Sequence, residues 1–169
     1  MDNLLLHSLR DLTGAQLAFS NGWRYGAPIP PGPITRNDLW NIIPVNPPVS
    51  VCTLTGDGLR AMREENLERT FARDPYDQMG GYVKRCLGLN LYFKMENPYG
   101  TRINELFVAG ERVRPDDIYD VCFVTTQGVP AKYGSDREAL DTHAIAALER
   151  YLARHTPAEA GLQGTIVAI

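Results

Sequence analysis

The sequence has few cysteines and lacks the short motifs that carry metal or phosphate chemistry. Its three cysteines, Cys52, Cys86 and Cys122, are far apart, and no CxxC pair or Cys/His cluster is present. Each lies in an apolar, strand-like run, so we expect three buried free thiols. There is no GxxxxGK phosphate loop, no GxSxG elbow and no HExxH or GNHE metal motif. The sequence therefore predicts no catalytic residue and no metal site in this chain.

The chain also lacks an excess of basic residues and any long hydrophobic run. It has 17 basic and 20 acidic residues and a formal net charge of −3, which gives no electrostatic reason to bind nucleic acid or an anionic membrane. The first residues, MDNLLLHSLRDL, have no basic n-region and are interrupted by polar side chains. We therefore expect no signal peptide, no membrane span, no nucleic-acid partner and no membrane partner. Any export signal is expected to lie outside this chain.

The most regular pattern in the sequence is an alternation of apolar residues from Leu87 to Met95, which is typical of a strand buried on one face. Turn residues follow it, and then two further strand-like runs, Ile103 to Val108 and Ile118 to Val124. These three runs predict an antiparallel meander whose last strand is central. Shorter strands are predicted at 15–20, 49–54 and 165–169.

Helical spacing of apolar residues, together with capping residues, predicts four helices. They are a helix that begins after Asp2 and ends at Gly14, and helices at 36–42, 56–71 and 136–154. The glutamates and arginines of the helix 56–71 are expected to face water. With 169 residues and 44% hydrophobic residues, the chain fits one domain, 1–169. We predict an α+β fold, a mixed sheet with an antiparallel meander packed by three to four helices.

Polar residues follow or flank several of the predicted strands, where sites on mixed sheets tend to lie. They form four groups: Asn21, Arg24 and Tyr25 in one loop, Asn46 in a second, Lys84 and Arg85 at the start of the meander, and Gln127, Lys132 and Tyr133 in a fourth. Read by themselves, these residues predict an anion-accepting pocket built from arginine and lysine. Turn capping and surface solvation are the alternative roles.

A series of short motifs runs through nearly the whole chain in a fixed order. They are Asn21-Gly22, Gly32-Pro33-Ile34-Thr35 with Asp38-Leu39, Ile43-Pro44, Leu54-Thr55-Gly56 with Leu59, Gly80-Gly81, Leu87-Gly88-Leu89 and Tyr119-Asp120-Val121. This order resembles the C-terminal domain of the 5′-nucleotidase family, in which the first four motifs read NGGGIR, GxITxxDL, LPF and LTGxxL. The resemblance adds Gly88 to the candidate substrate-binding residues.

The resemblance implies a two-domain hydrolase of the periplasm or the extracellular space. In such a protein an N-terminal metallophosphatase domain holds the divalent metals, and the C-terminal domain supplies the substrate pocket. This chain resembles the second half alone. We therefore expect no cofactor in this chain, and we expect its partner to be an N-terminal metallophosphatase domain that the chain does not contain.

The family's nucleotide pocket is altered at three positions. Val45 and Thr126 stand where the family has the two aromatic residues that stack on the base, and Lys132 stands where it has the ribose-binding Asp. In contrast, FSNGWRYG and the run 74–89 resemble FSPGFRWG and DPYYQQGGDMVRVGGL of the thiosulfohydrolase branch of bacterial sulfur oxidation. That branch acts on a sulfonate carried by a protein cysteine and needs no base clamp.

These resemblances predict a substrate-recognition domain of a metal-dependent hydrolase of nucleotide or sulfur-ester type, which is not catalytic alone. Asn21, Arg24 and Lys132 are expected to hold a small anionic substrate. The alternative, from a different functional class, is a binding or protein-interaction module that stands alone and has lost its catalytic partner.

Overall fold

The computed structural model describes residues 2–21, 28–80, 82–159, 161 and 163–169. The helices in this part of the chain are α1 (Asp2–Thr13), α2 (Arg36–Ile42), α3 (Gly56–Phe71), α4 (Thr125–Gly128) and α5 (Ala144–Arg154). The strands are β1 (Leu17–Ser20), β2 (Pro48–Thr55), β3 (Arg85–Leu87), β4 (Leu89–Phe93), β5 (Ile103–Val108), β6 (Glu111–Arg112), β7 (Ile118–Val124), β8 (Ser135–His143) and β9 (Ile166–Ala168).

These strands form two sheets. The large sheet has the order β3-β1-β7-β2-β8, in which β1 and β7 are parallel and the other neighbours are antiparallel. The small sheet has the order β6-β5-β4-β9, with β4 and β9 parallel. The α+β class predicted from the sequence is confirmed.

The residues of the large sheet alternate between two cores. On one face, Leu17 and Phe19 of β1 pack with α3 and with the small sheet. On the other face, Ala18 of β1 packs with apolar residues of α1, α2 and α5. Both faces of the sheet are therefore covered, which explains why all four residues of β1 are buried.

The predicted meander is confirmed in its first pairing, because β4 and β5 are antiparallel neighbours, but it is wrong for its last strand, which lies in the other sheet. The apolar run from Leu87 is not one strand, because Gly88 separates β3 of the large sheet from β4 of the small sheet. Gly88 has φ +93°, and a Cβ atom there would lie 2.1 Å from the carbonyl oxygen of Gln16. The strand β7 is central, as predicted, but it is central in the large sheet. An alternating pattern shows which residues are buried but not which sheet receives them.

The helix predicted at 136–154 is also wrong in its first half. Residues Ser135–His143 form the edge strand β8, which pairs with β2, and the helix begins at Ala144. Asp136 has φ +51°, which is incompatible with a helix start at that position. The long-range pairing with β2 outweighs the local capping pattern here. The segment predicted as a loop after β7 contains the short helix α4.

Several local predictions are confirmed. Helix α1 ends before Gly14, and helix α2 has the predicted capping box, in which Asp38 Oδ2 accepts from the Thr35 N–H at 2.7 Å. Thr55 caps α3 by accepting from the Gly58 N–H at 3.0 Å. The three cysteines are buried and free. These features depend on nearby residues, which is why the sequence pattern was sufficient.

The prediction that the charged residues of α3 face water is wrong for two of them. Arg63 is 0% exposed and Glu64 is 4% exposed. The carboxylate of Glu64 accepts from the backbone N–H groups of Arg102 and Ile103, at 3.2 and 2.8 Å. The guanidinium of Arg102 donates to Glu68 at 2.8 Å. Charged side chains of α3 therefore fix the start of β5 beneath the helix.

We predict that Arg102→Met destabilises the protein by about 3 kcal/mol, because it removes one partner of a largely buried ion pair. The matched control is Arg112→Met, since Arg112 pairs with Glu105 on an exposed surface and such pairs contribute about 0–1 kcal/mol. Urea denaturation of both variants measures the difference. Equal losses of unfolding free energy in the two variants would show that the buried ion pair contributes no more stability than the exposed one.

We also predict that Gly88→Ala destabilises the protein far more than Gly100→Ala. Both glycines have positive φ, +93° and +86°, but a Cβ atom at Gly100 would have no neighbouring atom within 4 Å. Gly100→Ala should cost about 1 kcal/mol of backbone strain, whereas Gly88→Ala adds a clash with a backbone carbonyl worth about 1–3 kcal/mol more. Similar midpoints of thermal unfolding for the two variants would contradict this account.

Candidate functional site

Polar residues next to four strands of the large sheet lie at the same end of that sheet, which we call the loop edge. Strands β1 and β7 are parallel, so Asn21 and the segment Thr125–Gly128, which follow them, lie on the same side. Strand β2 is antiparallel to β7, so Asn46, which precedes it, lies on that side too. Strand β3 begins at this edge, since Arg85 is paired with Ser20.

The first and fourth predicted loops are joined by a hydrogen bond between side-chain amides. Asn21 Nδ2 donates to Gln127 Oε1 at 2.6 Å, across 106 residues of sequence. Asn21 is 5% exposed, and its Oδ1 atom is buried without a hydrogen-bond partner among the described residues. A buried acceptor without a donor is costly, and such atoms are typical of sites that a ligand completes.

The backbone at the end of β7 is strained. Thr125 has φ +63°, a conformation that β-branched residues rarely adopt, and its Oγ1 atom is buried without a partner in the described part of the chain. The loop that follows is held from below by Arg137 of β8. Its Nη2 donates to the carbonyls of Val129, Pro130 and Tyr133 at 2.7 to 2.8 Å. Strain of this kind concentrates at ligand-binding sites.

Two clefts flank the loop edge, and Thr126 lines both. The first, which we call the Lys84 cleft, has a volume of about 290 Å³ and is lined by Met62, Glu65, Asn66, Arg69, Met79, Gly80, Tyr82, Lys84, Thr126, Gln127 and Pro130. The second has a volume of about 400 Å³ and is lined by Pro47, Pro48, Ser50, Phe123, Thr125, Thr126, Arg137, Glu138 and Ala139. The loop edge is thus the wall between two concave surfaces.

The Lys84 side chain is half-buried, and its Nζ lies 3.4 Å from the carbonyl oxygen of Gly128. Burial, together with the positive charges of Arg63 and Arg69, lowers the pKa of Lys84 to about 8, although Glu65 opposes the shift. At neutral pH this lysine is therefore still largely protonated, although its environment disfavours the charge.

Lys132 is paired with Glu65, one of the residues that line the Lys84 cleft. Its Nζ donates to Glu65 Oε1 at 2.8 Å, and the Tyr133 hydroxyl donates to the other carboxylate oxygen at 2.8 Å. Arg69 lies 2.6 Å from the same carboxylate. Burial alone would raise the pKa of Glu65, but the hydrogen bonds from Lys132 and Tyr133 outweigh it and lower that pKa.

The other sequence-predicted residues are placed as follows. Asn46 has φ +45°, and its Oδ1 accepts from the Ile145 N–H at 2.9 Å, so it holds the start of α5. Arg85 is exposed and lies 3.6 Å from Asp2 of α1. Gly88 lies at the junction of the two sheets. Arg24 and Tyr25 lie outside the described residues. Substrate binding by all of these residues stays a prediction.

The structure thus brings together Asn21 and Gln127, and it places Lys132 on Glu65, which lines the neighbouring cleft. It also places Lys84, one of the polar residues predicted at the start of the meander, in that cleft, and it adds Arg69, which was not predicted. Lys84 stands next to Arg85 in the sequence, and the alternation of a strand places the two on opposite faces. Nothing in the sequence indicated that Arg69 lines a cleft, because an arginine on a charged helix is usually solvated.

The motifs, the fold and the family comparison agree. The model of the 5′-nucleotidase C-terminal domain family matches residues 1–127. This chain belongs to that family. The trifunctional nucleotide phosphoesterase YfkN of Bacillus subtilis (strain 168) is 27% identical over 122 residues, which is 69% of this chain and 8% of that protein. The family predicted from the sequence is confirmed, and its members are two-domain metallophosphoesterases.

Solved structures show the same fold. The sulfate thiohydrolase SoxB of Thermus thermophilus, in complex with glycerol, has a TM-score of 0.86 at 24% identity, over 99% of this chain and 31% of that chain. The 5′-nucleotidase precursor of Thermus thermophilus has a TM-score of 0.78 at 23% identity, over 99% of this chain and 34% of that chain. The NAD nucleotidase NadN of Haemophilus influenzae has a TM-score of 0.79 at 15% identity, over 98% of this chain and 32% of that chain. This chain spans about a third of each of these structures.

The described part of the chain offers neither a cluster of metal ligands nor a membrane helix. No group of three or more His, Cys, Asp or Glu side chains is placed there to hold a metal ion. Among the same residues, no helix combines the length and the apolar character that crossing a bilayer requires.

We predict that Lys84→Met raises the thermal midpoint at pH 7 by about 2–4 °C, the shift that 1 kcal/mol produces in a domain of this size. The folded-state pKa of Lys84, about 8, lies below its unfolded value of about 10.4. The charge therefore destabilises the wild type below pH 8, and this penalty disappears as the pH rises to 10.5. The rise in thermal midpoint caused by Lys84→Met should therefore become smaller as the pH rises from 7 to 10.5.

The control for this measurement is Lys94→Met, since Lys94 is exposed and its substitution should leave the midpoint almost unchanged at both pH values. A lower midpoint for Lys84→Met at pH 7 would show instead that Lys84 stabilises the fold.

Proposed function

We propose that this chain is the substrate-recognition domain of a two-domain metal-dependent hydrolase and that its loop edge holds a small anionic substrate. The observation that supports this most directly is the hydrogen bond between Asn21 and Gln127, which joins the loops after β1 and β7. Arg24 belongs to the first of these loops and supplies a cation for the substrate. The hydrolysis belongs to an N-terminal metallophosphatase domain with divalent metals, so the chain alone is inactive.

A substrate without a stacked base fits this edge better than a nucleotide. Val45 is 61% exposed, and Thr126 is exposed too. The resemblance places both where nucleotide-binding members carry aromatic plates, and neither side chain can stack on a base. FSNGWRYG, in contrast, resembles the loop of the sulfur-oxidation branch. We therefore propose a sulfur-ester or simple phosphoester substrate, in a periplasmic or extracellular enzyme.

The second candidate, a protein-interaction module without a catalytic partner, has one observation in its favour. Large apolar side chains near α2 are exposed: Ile34 at 38%, Trp40 at 42% and Val45 at 61%. Exposed apolar residues of this size are typical of surfaces that meet another protein. The same residues suit contact with a catalytic domain, so turnover is the measurement that separates the two functions.

We expect Arg24→Gln, in the protein that combines this domain with its metallophosphatase domain, to lower kcat/KM by about tenfold to a hundredfold, because a hydrogen bond to a charged group contributes about 1.5–3 kcal/mol. The assay compares AMP with a peptide that carries a cysteine S-thiosulfonate. Arg112→Gln, at an exposed position on β6, is the matched control.

Unchanged binding and turnover in the Arg24 variant would refute the proposal. Faster turnover of AMP than of the thiosulfonate peptide would overturn the preference for a substrate without a base. The absence of any hydrolysis from the combined protein would favour the interaction module.

A further inference from the structure

The Lys84 cleft carries more positive than negative charge. Among the described residues that line it, Glu65 is the one carboxylate, and it is already bound to Arg69 and Lys132 at 2.6 and 2.8 Å. The Lys84 ammonium group forms no ion pair among the described residues, and the one hydrogen bond of its Nζ there is the long one to the Gly128 carbonyl. A half-buried ammonium group without a carboxylate attracts an anion from solution.

A second cation lies below the cleft. Arg63 of α3 is 0% exposed, and its Nη1 donates to the carbonyl oxygen of Lys84 at 3.1 Å. Its Nε and Nη2 atoms are buried without hydrogen-bond partners in the described part of the chain. The guanidinium lies 5.9 Å from the ring centroid of Phe19, an apolar neighbour that screens its charge little. Arg63 therefore adds to the positive potential around Lys84.

The remaining lining suits an oxyanion with a small organic group. Thr126 and Gln127 contribute a hydroxyl and an amide, groups that bind oxyanions as neutral donors. Met62, Met79 and Pro130 supply apolar walls. The volume of about 290 Å³ lies at the small end of ligand pockets, which is about 300 Å³. The cleft is thus large enough for an oxyanion and a short substituent.

We propose that the Lys84 cleft binds a small oxyanion, either free sulfate or phosphate or the head group of a monoester, with Lys84 and Arg69 as its charged ligands. The cleft meets the loop edge at Thr126 and Gln127. An anion bound here therefore lies beside the substrate of the proposed hydrolase. The binding itself needs neither the metals nor the catalytic domain, so it is measured on this chain alone.

Binding should weaken as the pH rises through 8. The charged groups that act on Lys84 are Arg63, Glu65 and Arg69 of α3, and Tyr82 lines the same cleft. The pKa of Glu65 is lowered, chiefly by its hydrogen bonds from Lys132 and Tyr133, so this carboxylate keeps its charge above neutral pH. Lys84, with a pKa of about 8, therefore loses its charge between pH 6.5 and 9.

The experiment is isothermal titration calorimetry of the 169-residue chain with sodium sulfate at constant ionic strength, because sulfate keeps its charge of −2 over this whole pH range. We expect Lys84→Met to weaken sulfate binding at pH 7 by about tenfold or more. Raising the pH from 7 to 9 should weaken binding to the wild type but not to the variant. Lys94→Met is the matched control and should bind as the wild type does.

Equal affinity of wild type and Lys84→Met for sulfate, with both proteins folded by thermal melting, would overturn the proposal. So would loss of sulfate binding in Arg24→Gln with full binding in Lys84→Met, which would place the anion in the other loop. Sulfate binding that survives in Arg24→Gln while turnover fails would support separate roles for the two places, with anion binding in the Lys84 cleft and substrate recognition at Arg24. Tighter binding of methyl phosphate than of inorganic phosphate identifies a monoester head group, and equal binding identifies the free ion.

Discussion

Helix α3 lies between the two sheets, and its buried polar side chains determine how the sheets are placed. Toward the small sheet, Glu64 accepts from two backbone N–H groups at the start of β5. Toward the large sheet, Asn66 Oδ1 accepts from the Lys84 N–H at 2.8 Å, and Arg63 donates to the Lys84 carbonyl. Each of these groups is costly when unpaired in a dry interior. Arrangements that shift either sheet along the helix break several such bonds at once, which favours a single arrangement.

The same helix also positions the candidate site. Successive turns of α3 present Glu65 and Arg69 to the cleft, and Glu65 holds both Lys132 and Tyr133 of the loop after β7. Arg137 holds that loop from the strand below. The loop is therefore fixed by side chains from two elements of the fold, although its own backbone is strained at Thr125. A rigid scaffold with strained loops is the usual way in which a fold presents a binding site.

Sequence reasoning succeeded where the determining contacts are local and failed where they are distant. The capping box at Thr35, the Thr55 cap and the end of α1 at Gly14 depend on residues within a few positions, and all three were predicted. Strand β8 depends on pairing with β2, more than 80 positions away, for example Val51 with Glu138. The local capping-like pattern at the start of β8 contains no information about this distant pairing. The pairing of Asn21 with Gln127 is equally distant, so turn chemistry identified both residues but not their contact.

Five of the seven buried side-chain polar atoms without hydrogen-bond partners among the described residues lie near the ends of β1 and β7. They are Asn21 Oδ1, Thr125 Oγ1, two nitrogens of Arg63 and Arg137 Nε, whereas Asp2 Oδ1 and Glu105 Oε2 lie elsewhere. Thr125 and Arg137 line the second cleft, and Arg63 lies beside Phe19 of β1 and the carbonyl of Lys84. The strands at this end of the large sheet contribute to two packed cores, so these groups do not mark a loosely packed fold. A ligand at the loop edge that donates to Asn21 Oδ1 would supply one of the missing hydrogen bonds. Such a ligand binds the folded state alone and therefore stabilises it.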